Sequence, residues 1–133
     1  MADTIQNLWP TDFPKTDVLT PVAILRQQGA ALGERTKNIV VGRVVTMPSE
    51  NGFAHTFKLY CSPLGYSRDL FVVQHDDEPL YPVKIKYLPE PAAKGFKTLT
   101  ADTPEEFSER LREIFTKDKT KNIVASLLAQ STQ

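Results

Sequence analysis

The stretch NGFAHTFKLYC, residues 51–61, decides how this chain folds. After an Asn51-Gly52 pair, Phe53, His55, Phe57, Leu59 and Cys61 alternate with Ala54, Thr56, Lys58 and Tyr60. A period of two marks a strand with one face on a core, and Asn-Gly between two strand patterns is a strong hairpin signal. The odd positions of this strand are therefore expected to face the core.

Upstream of the hairpin, residues 39–47 are apolar on both parities, as in a strand that is covered on both faces or sits centrally. Downstream, Ser62-Pro63-Leu64-Gly65 reads as a turn and residues 68–75 as a third strand. His75-Asp76-Asp77-Glu78-Pro79 breaks that strand. Tyr81, Val83, Ile85 and Tyr87 then alternate with Pro82, Lys84 and Lys86, and lysines with a proline suit an edge or a solvated face. Pro89-Glu90-Pro91 stops the pattern, and residues 96–100 give a weaker signal for a fifth strand.

Helical signals flank this region on both sides. Thr20-Pro21 places a hydroxyl at the N-cap and proline at the first helical position, and Val22, Leu25, Gly29 and Leu32 recur at helical spacing. Gly29 suits close packing of this helix on a sheet. Gly33 can end the helix or be tolerated while it continues to about Lys37, and the longer helix is favoured. Asp102-Thr103-Pro104-Glu105-Glu106 is a capping box, followed by a stripe of Phe107, Leu111, Ile114 and Phe115. A last helix starts near Thr120 and carries Ile123, Val124, Leu127 and Leu128.

The fold class implied is α+β: an N-terminal helix, an antiparallel meander of four strands or five, and two C-terminal helices, with all helices on one face of the sheet. Residues 20–133 form one domain of ordinary single-core size, and residues 1–19 form an extended, proline-punctuated arm. If the first strand is apolar on both sides, the open face of the sheet keeps an apolar stripe that something must cover.

Composition excludes several functions. Lys plus Arg and Asp plus Glu both number 16, so no net field draws in nucleic acid or an anionic membrane. One cysteine, Cys61, allows no internal disulfide, which fits a cytoplasmic compartment; the first twenty residues lack the apolar run of a leader. No Gly-rich phosphate loop and no nucleophile elbow is present, and neither a cofactor nor a resident metal is expected. Cys61 reads as a buried, inert thiol, and Asp76-Asp77-Glu78 as a solvated turn.

Two sets of residues carry what functional signal there is. In the arm, Trp9 and Phe13 either cover an edge of the domain's own core or anchor on a partner or a second copy of the chain. In the sheet, a turn at 62–66 pairs position 61 roughly with 67, which sets Phe53 opposite His75 and His55 one diagonal step away. Two imidazoles at that spacing suit a pocket between sheet and helices, with Tyr60 and Arg43 as further candidates, or a weak metal or acid–base pair. The leading expectation is a small, non-catalytic protein–protein interaction module of adaptor, inhibitor or immunity type, binding a protein partner or itself as a homodimer. The alternative is a small-molecule or metal binder, or an enzyme, that uses the two histidines.

Overall fold

Thr20 begins the folded region, its hydroxyl accepting the Ala23 N–H at 3.2 Å to cap helix α1, Pro21–Arg35. A computed structural model describes residues 6–87, 95 and 97–132; the Pro89-Glu90-Pro91 stop, Lys94 and Phe96 lie outside the described residues. Helix α1 ends at Thr36, between the two stops open to it, and Lys37 and Asn38 follow with positive φ. The Thr36 hydroxyl is buried, accepting the Val40 N–H at 3.1 Å and donating to the Val40 carbonyl at 2.7 Å, so helix end and strand start are tied together.

Five antiparallel strands follow in chain order: β1 Val40–Ser49, β2 Gly52–Cys61, β3 Tyr66–Asp76, β4 Val83–Tyr87 and β5 Lys97–Ala101. The fifth strand is thus present, and the meander runs without a crossover. The hairpin between β1 and β2 closes on Glu50 and Asn51, since Ser49 pairs with Gly52. Asn51 supplies the positive φ of the turn, while Gly52 is needed for a different reason: a Cβ there would run into the backbone of His75 and Asp76.

The β2–β3 pairing contains a β-bulge. Phe57 faces Phe71 but Lys58 faces Asp69, which leaves Leu70 as an extra residue. At the turn end Cys61 pairs with Tyr66, one residue away from the pairing the turn alone suggests; at the far end Phe53 pairs with His75 as expected. The bulge makes the inward-facing set of β3 change parity, so that Phe71, Val73 and His75 share the inward face with His55 and Phe57.

Helices α2, Pro104–Phe115, and α3, Asp118–Ser131, complete the chain. One half of the capping box forms as expected, Thr103 Oγ1 accepting the Glu106 N–H at 3.1 Å; the Glu106 carboxylate reaches one residue further back than the N-cap amide and accepts the Asp102 N–H at 2.9 Å. All three helices pack on one face of the sheet, around Leu25, Val40, Phe57, Leu59, Val73, Ile85, Phe107 and Leu111. The rings of Phe57 and Phe71 stack at 5.1 Å and Phe115 tilts against both. The opposite face carries no helix. There Val45 is 42% exposed and Met47 59%, so the outward apolar stripe of β1 is uncovered in the described chain.

Candidate functional site

β2 and β3 bring His55 and His75 together where the sheet passes the start of α1. Their ring centroids lie 4.9 Å apart and their Nε2 atoms 2.8 Å apart. Phe53 flanks both rings, at 6.3 Å from His55 and 5.9 Å from His75. His55 is only 3% exposed, and His75 is half-buried.

Each ring has a second partner. His75 Nδ1 lies 2.7 Å from the Asp76 carbonyl oxygen, and His55 Nδ1 lies 2.8 Å from Thr46 Oγ1. The acceptors assign the protons. A carbonyl can only accept, so His75 Nδ1 donates; with both rings neutral, His75 Nε2 then accepts from His55 Nε2–H, and His55 Nδ1 accepts from the Thr46 hydroxyl. The result is one directional chain from Thr46 through both imidazoles to the Asp76 backbone. Burial pushes the His55 pKa down to about 4, assisted by the nearby positive charges of His75 and Arg26.

A cavity of about 320 Å³ opens beside this chain, lined by Thr20, Pro21, Val22, Arg26, Thr46, Phe53, His55, His75 and Leu80. Its wall is mostly apolar with a few convergent polar groups, which is the usual make-up of a small-molecule site. This cavity lies on the histidine side of the sheet, at the N-terminal end of α1.

Arg43 and Tyr60 are elsewhere. They sit at outward positions of β1 and β2, with the Arg43 guanidinium 3.6 Å above the Tyr60 ring, so they form a cation–π pair on the helix-free face and do not share the histidine cavity. Trp9 and Phe13 do not cover the domain's core: they are 74% and 64% exposed and pack on each other at 6.2 Å. Cys61 is buried at the end of β2, its thiol 3.1 Å from the Ser131 hydroxyl. Asp76, Asp77 and Glu78 are exposed, and no group of three or more His, Cys, Asp or Glu that could hold a metal ion is assembled among the described residues.

Thr46 and Arg26 were not singled out by sequence reasoning, although Thr46 was within reach of it. Once the hairpin loop is Glu50-Asn51, counting back from the Ser49–Gly52 pair places Thr46 opposite His55. Arg26 has no such signal, because its place depends on how α1 crosses the sheet. Comparison with models of protein families, with curated proteins and with solved structures finds no match to this chain. No helix among the described residues is long and apolar enough to cross a membrane.

Proposed function

We propose that this protein is a protein–protein interaction module that docks through its N-terminal arm. The observation that carries this reading is the exposure of Trp9 and Phe13 as a mutually packed aromatic pair outside the core. Leu8, Val18 and Leu19 are exposed along the same segment, so the arm presents a run of apolar groups to solvent. Exposed clusters of large apolar side chains mark contact surfaces, and tryptophan is the residue most enriched among energetic anchors of interfaces. The uncovered Val45 and Met47 on the helix-free sheet face add a second apolar area that a partner, or a second copy in a homodimer, buries on binding.

Solution mass by light scattering, on the wild-type chain and on Trp9→Ala over a wide concentration range, tests the self-association form. A wild-type dimer that Trp9→Ala dissociates supports it. A monomer at every concentration removes self-association through the arm and leaves a different protein as the partner.

The histidine chain favours a second reading, a small-molecule site in the cavity beside Phe53, because a buried and a half-buried imidazole 2.8 Å apart border a pocket instead of being sealed in the core. Under that reading His75→Ala alters ligand binding; under the first it changes only stability.

A further inference from the structure

The cavity at the start of α1 has an unbalanced wall. Among its lining residues, the charged or titratable groups are Arg26 of α1, His55 of β2 and His75 of β3, and none is a carboxylate. Arg26 makes no ion pair among the described residues. The positive end of the α1 dipole adds to this field, with Val22 in the first turn, where amides lack acceptors within the helix. On its other side His75 borders a separate surface with Glu50, Asp76, Lys84 and Lys86, whose charges are mixed and balance one another. The cavity therefore favours an anion, and its remaining wall of Pro21, Val22, Phe53 and Leu80 favours an apolar body attached to it.

The hydrogen-bond chain adds a device that depends on protonation. While both rings are neutral, Thr46 donates its only hydroxyl proton to His55 and has none to offer the cavity. Adding one proton to the pair changes this whichever ring holds it. If His55 is the imidazolium, its Nδ1 carries hydrogen; if His75 is, its Nε2 donates to His55 Nε2, and the His55 hydrogen must sit on Nδ1. In both cases His55 Nδ1–H donates to Thr46 Oγ1 across the 2.8 Å contact, and the Thr46 hydroxyl hydrogen is released to point into the cavity.

We propose that this cavity binds a small organic acid with an apolar body, its carboxylate held by Arg26 and by the Thr46 hydroxyl that the histidine pair frees when it takes up a proton. The assignment rests on the pocket reading above and gives it a ligand class. Its volume, about 320 Å³, is the share of roughly ten water molecules and suits a short-chain or single-ring acid. No covalent step is involved: one proton moves from solvent to the imidazole pair as the acid binds, and it returns to solvent when the acid leaves.

The test is a titration of the full chain, followed by NMR shifts and calorimetry, with hydrocinnamate and with the matching hydrocinnamyl alcohol. At about pH 5.5 the acid is expected to bind at least about tenfold more tightly than the alcohol, and about tenfold or more affinity is lost by about pH 7.5, since uptake of one proton changes affinity by up to tenfold per pH unit. Arg26→Ala reduces the acid to the affinity of the alcohol. Thr46→Val, whose fold is checked by its melting curve because it leaves the buried His55 Nδ1 without this partner, weakens the acid and leaves the alcohol alone. Equal binding of acid and alcohol overturns the carboxylate assignment while leaving a pocket. A preference for the acid that does not change with pH, or that survives Thr46→Val, overturns the proton-linked part. No binding of either at millimolar concentration overturns both the assignment and the pocket reading beneath it.

Discussion

Gly29 of α1 and Gly42 of β1 meet backbone to backbone: a Cβ on Gly29 would fall against the carbonyl of Gly42, and a Cβ on Gly42 against the Phe57 ring and the Gly29 Cα. The contact sets how closely the first helix lies on the sheet, and with it the position of Arg26 over the histidines. Gly29→Ala is expected to destabilise the fold by about 1 to 3 kcal/mol, the usual cost of overpacking, despite the better helix propensity of alanine. Denaturant unfolding checks this, and a gain in stability would mean that α1 can lift off the sheet at no cost.

Folded His55 is held neutral down to about pH 4, whereas in the unfolded chain it protonates near its ordinary value of 6.5. Between those values the unfolded state binds more protons. Stability is therefore full above pH 6.5 and declines as pH falls toward 4, by an amount of order 2 to 3 kcal/mol. His55→Leu should flatten that part of the stability profile. Melting curves from pH 7.5 to about 4 read the difference, and parallel profiles for wild type and variant would show that His55 is not the group responsible.

Tyr81 donates its hydroxyl hydrogen to the Leu19 carbonyl at 2.8 Å, joining the root of the arm to the segment before β4. Burial, with the negative charge of Glu105 as a lesser cause, raises the Tyr81 pKa to about 12. Tyr81→Phe is expected to cost about 0.5 to 1.5 kcal/mol, the net worth of one such bond, and to speed proteolysis within the arm. The wild-type contribution is complete below pH 10 and is lost as pH rises toward 12, so the two proteins should converge in alkali.

Thr103 and Glu106 satisfy two amides at the start of α2 between them. Thr103→Ala should cost about 1 kcal/mol, and a double substitution with Glu106→Ala should cost less than the sum of the two single changes, because the groups act as one cap. Urea midpoints of the four proteins measure the coupling.

Most of the architecture could be read from the chain because local signals agreed with one another. Thr20-Pro21 and Thr103-Pro104 mark both helix starts, and the alternation from Phe53 to Cys61 and from Tyr81 to Tyr87 fixes which side chains turn inward. The ends of elements were less legible: β4 begins at Val83, two residues after the alternation does, and α3 begins at Asp118, ahead of its apolar stripe. The meeting of His55 and His75 was reachable by counting, but for a register that holds only beyond the bulge. Nothing in the residues around Leu70 announces an extra position, since a bulge follows from how two strands compete for partners. Arg43 and Tyr60 lie on the face away from the histidine cavity: for Arg43 the double-parity apolar run 39–47 hides which side is in, whereas for Tyr60 the alternation of 53–61 already points outward. The even residues Val40, Gly42 and Val44 face the helices.

The bulge also fixes where this sheet tolerates a change in length. β3 has 11 residues against the 10 of β2, and Leu70 is the surplus. Removing Leu70 leaves Asp69 facing out and Phe71 facing in, so both halves of the strand keep their neighbours. Removing a residue from the interior of either half turns its outer part over, and carries Tyr66 or His75 to the opposite side of the sheet. Leu70 is thus the point in β3 at which a deletion costs one side chain's packing and not the orientation of half a strand.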